Sequence, residues 1–367
     1  METLLAILRE VRDPRDANAR HCCAAMLFIS LMAMLCGAKT CVDIADFAAA
    51  HEEELAEIVD LPHGAPSHDS FSRLFRLIDP EELAKAFAAF AAAFRQALGL
   101  GPAKGVIAID GKRLRRGYER GRAFMPPLML SVWDAETRLS LAAKASGAGN
   151  EVKAALEALK SLDLKGCTVT ADALHCHPQM AKAVLSAGAH YALKLKGNNG
   201  PLHACAVKAF EKADRRGKAA FYEIGETGHD RHERRRVSLA AVPKDAPALP
   251  GLALFARIQS ERREASGKAK THIHYVALSK RMAPRQVLET VRLHWGVENH
   301  LHWPLDVVFN EDDARTRKNH APQNLSFIRR LALDILKAHP DKRSVSRKMN
   351  LAAWSKDFFF ELFTHMQ

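Results

Sequence analysis

Several signatures are missing from these 367 residues, and each absence narrows the field. The seven cysteines are an odd number with no C-x-x-C pair, which excludes a secreted disulfide framework and a zinc knuckle. There is no H-E-x-x-H motif, no internal repeat and no low-complexity tract. One uncharged run, residues 22–38, falls at the short end of a membrane span. The mixed charges before it (Glu2, Arg9, Glu10, Arg12, Asp13, Arg15, Asp16, Arg20) suit neither a signal peptide nor an anchor, so it reads as a buried helix of a cytoplasmic protein with no membrane partner. Negative charge is in deficit: 42 Asp and Glu face 54 Lys and Arg, leaving a formal +12 that favours an anionic partner such as nucleic acid. Hydrophobic residues at 48% and charged residues at 26% exclude a disordered chain.

Strand signals are absent from the first hundred residues. Apolar residues there recur at three and four (Leu27, Phe28, Leu31, Met32, Leu35), and LAKAFAAFAAAF is alanine-rich, so residues 1–100 are expected to form an all-helical domain. Two short helices, VDIADFAAAH and SHDSFSRLFRLI with Ser67 as N-cap, flank the turn LPHGAP; they fit a DNA-reading helix-turn-helix or ordinary packed helices. After residue 101 the period changes. VIAID, MLSVWD, LSLAAKA, CTVTAD and YALKLK read as strands, with helices in EVKAALEALKSL and from Pro178 to Gly188. Four β-rich segments follow (AAFYEIGE, ERRRVSLAAV, LALFARIQSE, THIHYVALSK), expected as an antiparallel insertion over about 219–282. A long helix starts at Pro284 and should end or kink at Pro304; the final third is helical and basic.

Two strands terminate on a carboxylate, VIAID on Asp110 and TVTAD on Asp172. Strand carboxyl ends are where α/β sheets present ligands, and paired acids repel unless a cation such as Mg²⁺ lies between them. A turn-closing or capping role is the ordinary alternative for a lone aspartate. On the Pro284 helix, Glu298 has His294 and His302 four residues to either side, all on one face. That stripe reads as a third carboxylate with phosphate-steering imidazoles, as a transition-metal site, or as a packing face. Around these acids, Lys112, Arg113, Arg115, Arg116, Arg120 and Arg122 follow Asp110, and Lys194, Lys196, Asn198 and Asn199 follow another strand, a distribution suited to DNA phosphates. HCHP at 175–178 lacks the partner pair that a zinc site needs.

IAIDGKRLR, TVTADALHC with YALKLKGNN, and HWGVENHLHWPLDVVFNEDDARTRKNHAPQNLSFIRRLALDILK resemble the three catalytic blocks of DDE-class insertion-sequence transposases, in the H-repeat-associated branch. DPRDANARH, VDIADFAAAH and LPHGAPSHDSFSRLFRLIDP resemble the helical domain associated with that branch. The resemblance implies an α/β, ribonuclease H-like mixed sheet flanked by helices over 101–367, with the β-rich insertion before the glutamate helix and a separate all-α domain before the sheet. It implies that Asp110, Asp172 and Glu298 are catalytic and hold two Mg²⁺ ions, with Mn²⁺ as substitute. It also implies cleavage at element ends and strand transfer, with double-stranded terminal-repeat and target DNA and a homodimer on that DNA. The DNA contacts expected are Lys112, Arg113, Arg115, Arg116, Lys194, Lys196, Asn198, His294 and His302. Where the wider group carries Tyr, Arg and Lys around the glutamate, this chain has Val291, His294 and Leu305. A DNA-binding protein without catalysis, or a metal-dependent nuclease on the same fold, are the other readings.

Overall fold

The structure is a computed structural model that describes residues 1–118, 126–147, 150–217, 220–228, 231–264 and 269–363. Arg120 and Arg122 lie outside them. Six helices precede the sheet: α1 (Glu2–Arg9), α2 (Cys23–Leu35), α3 (Cys41–Ala50), α4 (Glu52–Ala56), α5 (His68–Leu77) and α6 (Pro80–Ala97). Local chemistry marks their starts. Thr40 and Asp43 form a capping box on α3, Ser67 Oγ accepts the Ser70 N–H at α5, and Asp79 caps α6 ahead of Pro80. The uncharged run becomes α2, whose every side chain is buried. No helix among the described residues is long and apolar enough to cross a membrane.

Among the described residues nine strands follow: β1 (Val106–Arg113), β2 (Leu128–Asp134), β3 (Leu139–Ser146), β4 (Thr168–Ala171), β5 (His190–Leu195), β6 (Phe221–Gly228), β7 (Arg231–Ala241), β8 (Leu254–Glu264) and β9 (Ala269–Leu278). They form one mixed sheet in the order β3-β2-β1-β4-β5-β9-β8-β7-β6. The pairs β1–β4 and β4–β5 are parallel, as crossovers through helices require, and the remaining pairs are antiparallel. The four late strands are therefore not a separate layer: β9 bonds to the edge of β5 and extends the same sheet. That pairing satisfies an edge that would otherwise stand open.

The remaining helices are α7 (Glu151–Lys160), α8 (Pro178–Ser186), α9 (Gly200–Arg215), α10 (Pro284–Val297), α11 (Trp303–Val307), α12 (Ala321–Ala338), α13 (Val345–Trp354) and α14 (Lys356–Glu361). Alternation along β1 sends Ile107 and Ile109 into a core shared with α7, α8 and α9. Val106 and Ala108 enter the opposite core, which contains α1, α2, α5, α6 and α12. The N-terminal helices thus share one core with the late helices and one face of the sheet, and are not set apart from it. Asn324 of α12 secures this arrangement by donating to the carbonyls of Phe75 and Ile78 at the end of α5, both at 2.8 Å. Asp110 and Lys112 follow Ala108 on the same face of β1.

A buried ionic group lies under that face. Arg330 Nη1 is 3.2 Å from Glu311 Oε1, which also accepts from Ser326 Oγ at 2.6 Å, and both charged side chains are fully enclosed. Burial alone would push the Glu311 carboxyl up; the Arg330 and Arg329 guanidinia override it and hold it below the usual range. Removing the acid would strand two buried cations, so Glu311→Ala is expected to cost about 3–5 kcal/mol in denaturant unfolding. Asp313→Ala, which breaks the exposed pair with Arg116, should cost under about 1 kcal/mol.

Candidate active site

Asp110 is the fifth residue of β1 and pairs across to Ser131, while the residue before it, Ile109, pairs in parallel with Ala171 of β4. Asp172 is therefore the matching position on the neighbouring strand, one strand spacing of about 4.8 Å away. A Cβ at position 111 would lie 2.7 Å from Glu151 Oε1 and 3.1 Å from Leu128 Cδ2, so a larger residue there would displace the Glu151 carboxylate. The third acid arrives from α10, which comes close to the sheet at Gly296, where a Cβ would lie 3.2 Å from the Trp133 ring. Immediately afterwards the helix widens. Residues Glu298–His302 form a π turn in which the Trp303 N–H reaches back to the Glu298 carbonyl, and α11 resumes with Pro304 in its first turn. The bend expected at Pro304 is taken up by this wider turn just before it.

Ligand atoms of Asp110, Glu298 and His302 all lie within 4.8 Å of one another. His302 Nδ1 is 3.3 Å from Glu298 Oε2 and 3.6 Å from Asp110 Oδ2. A ring nitrogen between two carboxylate oxygens carries a proton, so Nδ1–H donates, while Nε2 is buried and has no hydrogen-bond partner among the described residues. Burial pushes the Asp110 carboxyl up to about 6; His302 opposes the rise, while Glu298 and Asp172 add to it. The His302 hydrogen bond holds Glu298 below its usual range. The site thus sets a largely buried carboxyl, Asp110, beside an exposed one, Glu298, a gathering of negative charge in which a cation is favourable.

Asp172 stands beside this trio, half exposed, with Lys194 Nζ 3.3 Å from its Oδ1. Burial would raise its carboxyl, but the Ala173 N–H and Lys194 outweigh it and bring it below the usual value. Asn198 Nδ2 donates to the Ala173 carbonyl at 2.9 Å, tying the next loop to this strand end.

Three residues expected to touch DNA, Lys112, His294 and His302, are turned inward. Lys112 is buried, with Nζ 2.6 Å from Asp306 Oδ1, 2.6 Å from Asp312 Oδ1 and 3.8 Å from Glu311 Oε2, so its charge is already matched by carboxylates. Asn198 is exposed, with its Nδ2 donating to the Ala173 carbonyl. His294 hydrogen-bonds Thr170 Oγ1 at 3.0 Å, and burial drives its imidazole down to about 4, so it is neutral and offers no cation to phosphate. His302 is enclosed between the acids. Leu305, the position where the wider group carries lysine, is fully buried core. Arg113 and Lys196 are exposed. Arg115 and Arg116 are also accessible, paired at 3.1 Å with Asp312 and Asp313.

Asp306 and Asp312, which fix Lys112, were not singled out by sequence. Both fall within LDVVFNEDD, but no periodic pattern marks an acid that meets a residue on β1. In the HCHP segment, His175 Nε2 is 3.3 Å from Glu151 Oε1, His177 Nδ1 caps α8, and burial pushes the Cys176 thiol up to about 12.

A family model described as Transposase DDE domain matches residues 101–335, and a second, described as DDE_Tnp_1-associated, matches residues 5–91. The chain is 30% identical over 373 residues to YhhI of Escherichia coli strain K12, a protein whose name calls it an H repeat-associated transposase; the match covers 98% of this chain and 97% of YhhI. It is 28% identical to YncI of Escherichia coli O157:H7, named as a transposase, over 99% of this chain and 94% of YncI. A protein encoded in the 3′ region of dhlA in Xanthobacter autotrophicus is 35% identical over 70% of this chain and 88% of its own length. The nine-stranded sheet with parallel β1, β4 and β5, and the two family matches that together span most of the sequence, place this chain in the DDE transposase family, among its H repeat-associated members.

Proposed function

We propose that this protein cuts DNA at the ends of an insertion sequence and joins those ends to target DNA by metal-dependent phosphoryl transfer, with Asp110, Asp172 and Glu298 as the metal-holding carboxylates. The observation that supports this reading most directly is the meeting of Asp110 with Glu298 on one side of the sheet, beside the end of β4 that carries Asp172. The donor set fits Mg²⁺, which takes one or two carboxylates and completes its shell with water and substrate phosphates; Mn²⁺ has similar preferences. His302 fits a steering role better than a ligand role. Were Nδ1 to bind a metal, the ring proton would sit on Nε2, which is buried with no acceptor among the described residues. When bound, the metal ions would activate the attacking hydroxyl and stabilise the leaving oxygen of an in-line displacement.

The chain's own residues supply placement. His302 holds Glu298 toward Asp110 through its Nδ1–H. Lys112 lies behind them, fixed by Asp306 and Asp312, and lends positive charge that favours the ionised Glu298. Lys194 holds Asp172 aside; a DNA phosphate arriving at Lys194 would compete for its ammonium and release Asp172 to the cluster. Lys196 lies near Asp172, Arg115 and Arg116 are accessible beyond the end of β1, and Arg113 is exposed on the face of β1 opposite to Asp110; all four would take DNA phosphates. Two element ends must be brought together for joining, so a homodimer on DNA is part of the proposal.

Asp110→Asn is expected to abolish Mg²⁺- or Mn²⁺-dependent cleavage and joining of element-end DNA, by at least about a hundredfold, while binding of the same DNA persists in a gel-shift assay. DNA binding by the wild type with no metal-dependent cleavage would favour a role by occupancy alone, and cleavage without joining, on DNA lacking element ends, would favour a nuclease.

The same substitution should stabilise the metal-free protein at neutral pH. The Asp110 carboxyl titrates near 6 when folded, against about 3.9 when unfolded, so its contribution to stability is full below the lower value and is lost as pH rises through about 6. Removing the charge should raise the unfolding free energy at neutral pH by about 1–3 kcal/mol, read by urea titration with chelator present.

Salt dependence separates outward from inward cations. Arg113→Ala and Lys196→Ala should each lower the slope of log K for DNA against log salt by about 1. Lys112→Ala should leave that slope unchanged and lower the melting temperature instead, because it strands the buried carboxylates.

A further inference from the structure

Pro304 interrupts the hydrogen-bond ladder of the helix that carries Glu298. In a regular α-helix the N–H of residue 304 bonds to the carbonyl of residue 300, and proline has no N–H to give. The wider turn ahead of it directs the Trp303 N–H to the Glu298 carbonyl. The His300 carbonyl is met instead by the ammonium of Lys337, from α12.

Lys337 is well placed to hold this point. One turn earlier on α12, Asp334 accepts the Ser140 N–H of β3 at 3.2 Å and faces Ser140 Oγ at 3.5 Å, so the helix is anchored to the sheet beside the lysine. The His300 ring stacks on Trp133 of β2, with centroids 6.3 Å apart and planes 20° apart. Glu298 and His302, two residues to either side of His300, face Asp110. The turn is thus held at its centre from the α12 side and presents its acid and its histidine to β1. Burial lowers the Lys337 ammonium to about 8 and raises the Asp334 carboxyl to about 7, so this lysine carries a desolvation cost that a surface lysine would not.

We infer that Lys337 is a positioning residue for the catalytic glutamate: it replaces the main-chain donor that Pro304 lacks and holds the π turn in the shape that brings Glu298 to Asp110. This rests on the proposal that Asp110 and Glu298 hold metal. A lysine present only to balance Asp334 would be indifferent to what stands at position 304, and that difference makes the two roles separable.

The test uses the full chain, metal-free and without DNA, with Mn²⁺ affinity followed by electron paramagnetic resonance and backbone exchange over residues 298–308 followed by mass spectrometry. Lys337→Met, which keeps the stem and removes the donor, is expected to weaken Mn²⁺ about tenfold and to speed exchange across the turn. Lys337→Arg should recover most of the affinity. Pro304→Ala restores an N–H, so adding Lys337→Met to that background should cost far less than in the wild type. Equal losses with and without Pro304, or wild-type affinity and exchange in Lys337→Met, would overturn the inference. Should Lys337→Met fail to fold, Lys337→Gln retains a donor without the charge: preserved Mn²⁺ affinity supports the donor role, and its loss overturns it. A wild type that binds no Mn²⁺ would remove the metal-site reading itself; exchange across the turn then decides, with unchanged protection in Lys337→Met counting against the lysine's role.

Discussion

α12 is enclosed along most of its length and still carries Arg329, Arg330, Asp334 and Lys337. Charges in an interior must be met by partners, and here each partner lies on a different element. Arg330 meets Glu311 and lies 3.4 Å from Ser131 on β2; Arg329 donates to the Lys39 carbonyl between α2 and α3; Asp334 takes β3; Lys337 takes the π turn. One helix thereby ties the N-terminal helices, the sheet and the glutamate turn into one frame. Hydrophobic packing along α2, α5 and α6 supplies the bulk of the burial, but it is not directional. The ionic and hydrogen-bonded contacts are directional, and they set which residue of each element faces the site.

The acid cluster follows from that frame. Asp110 is carried by a strand interior to the sheet, and Glu298 by a helix whose approach depends on Gly296 against Trp133 and on the widened turn after it. The resulting site raises one carboxyl and lowers its neighbour, an asymmetry produced by desolvation on one side and the His302 hydrogen bond on the other. Such a cluster is a poor design for stability and a suitable one for holding a cation. Positive charge is divided in a matching way. Lys112 is consumed inside, where it compensates acids, and Arg113, one residue along the same strand, points to the opposite side and remains exposed. Period-two alternation in a strand is enough to separate a structural cation from an accessible one.

Much of the architecture was legible because it depends on local patterns. The period change near residue 101, the apolar strand runs that lead into Asp110 and Asp172, the cap at Ser67 and the apolar run of α2 each encode an element without reference to distant residues, although β1 continues past Asp110 to Arg113 because β2 pairs with it that far. The β-rich segments were also legible as strands, but their attachment was not: whether they form a separate insertion or continue a sheet depends on the free edge of β5, which no property of their own sequence reveals. The same limit applies to the site. Asp110, Asp172 and Glu298 stood out by position within elements. Lys112, His294 and His302 looked like phosphate contacts because residue type announces charge and hydrogen-bonding capacity, whereas burial depends on what packs above.

By itself, the order of residues determined the element types, the family resemblance and the candidate acids, since these rest on periodicity, capping chemistry and motif spacing within short windows. Only the tertiary structure decided which acids meet, which cations face outward, and how the helix accommodates Pro304. Those outcomes turn on contacts between residues far apart in the chain, where the cost of burying an unpaired charge or an unbonded carbonyl selects one arrangement among many that the local pattern allows.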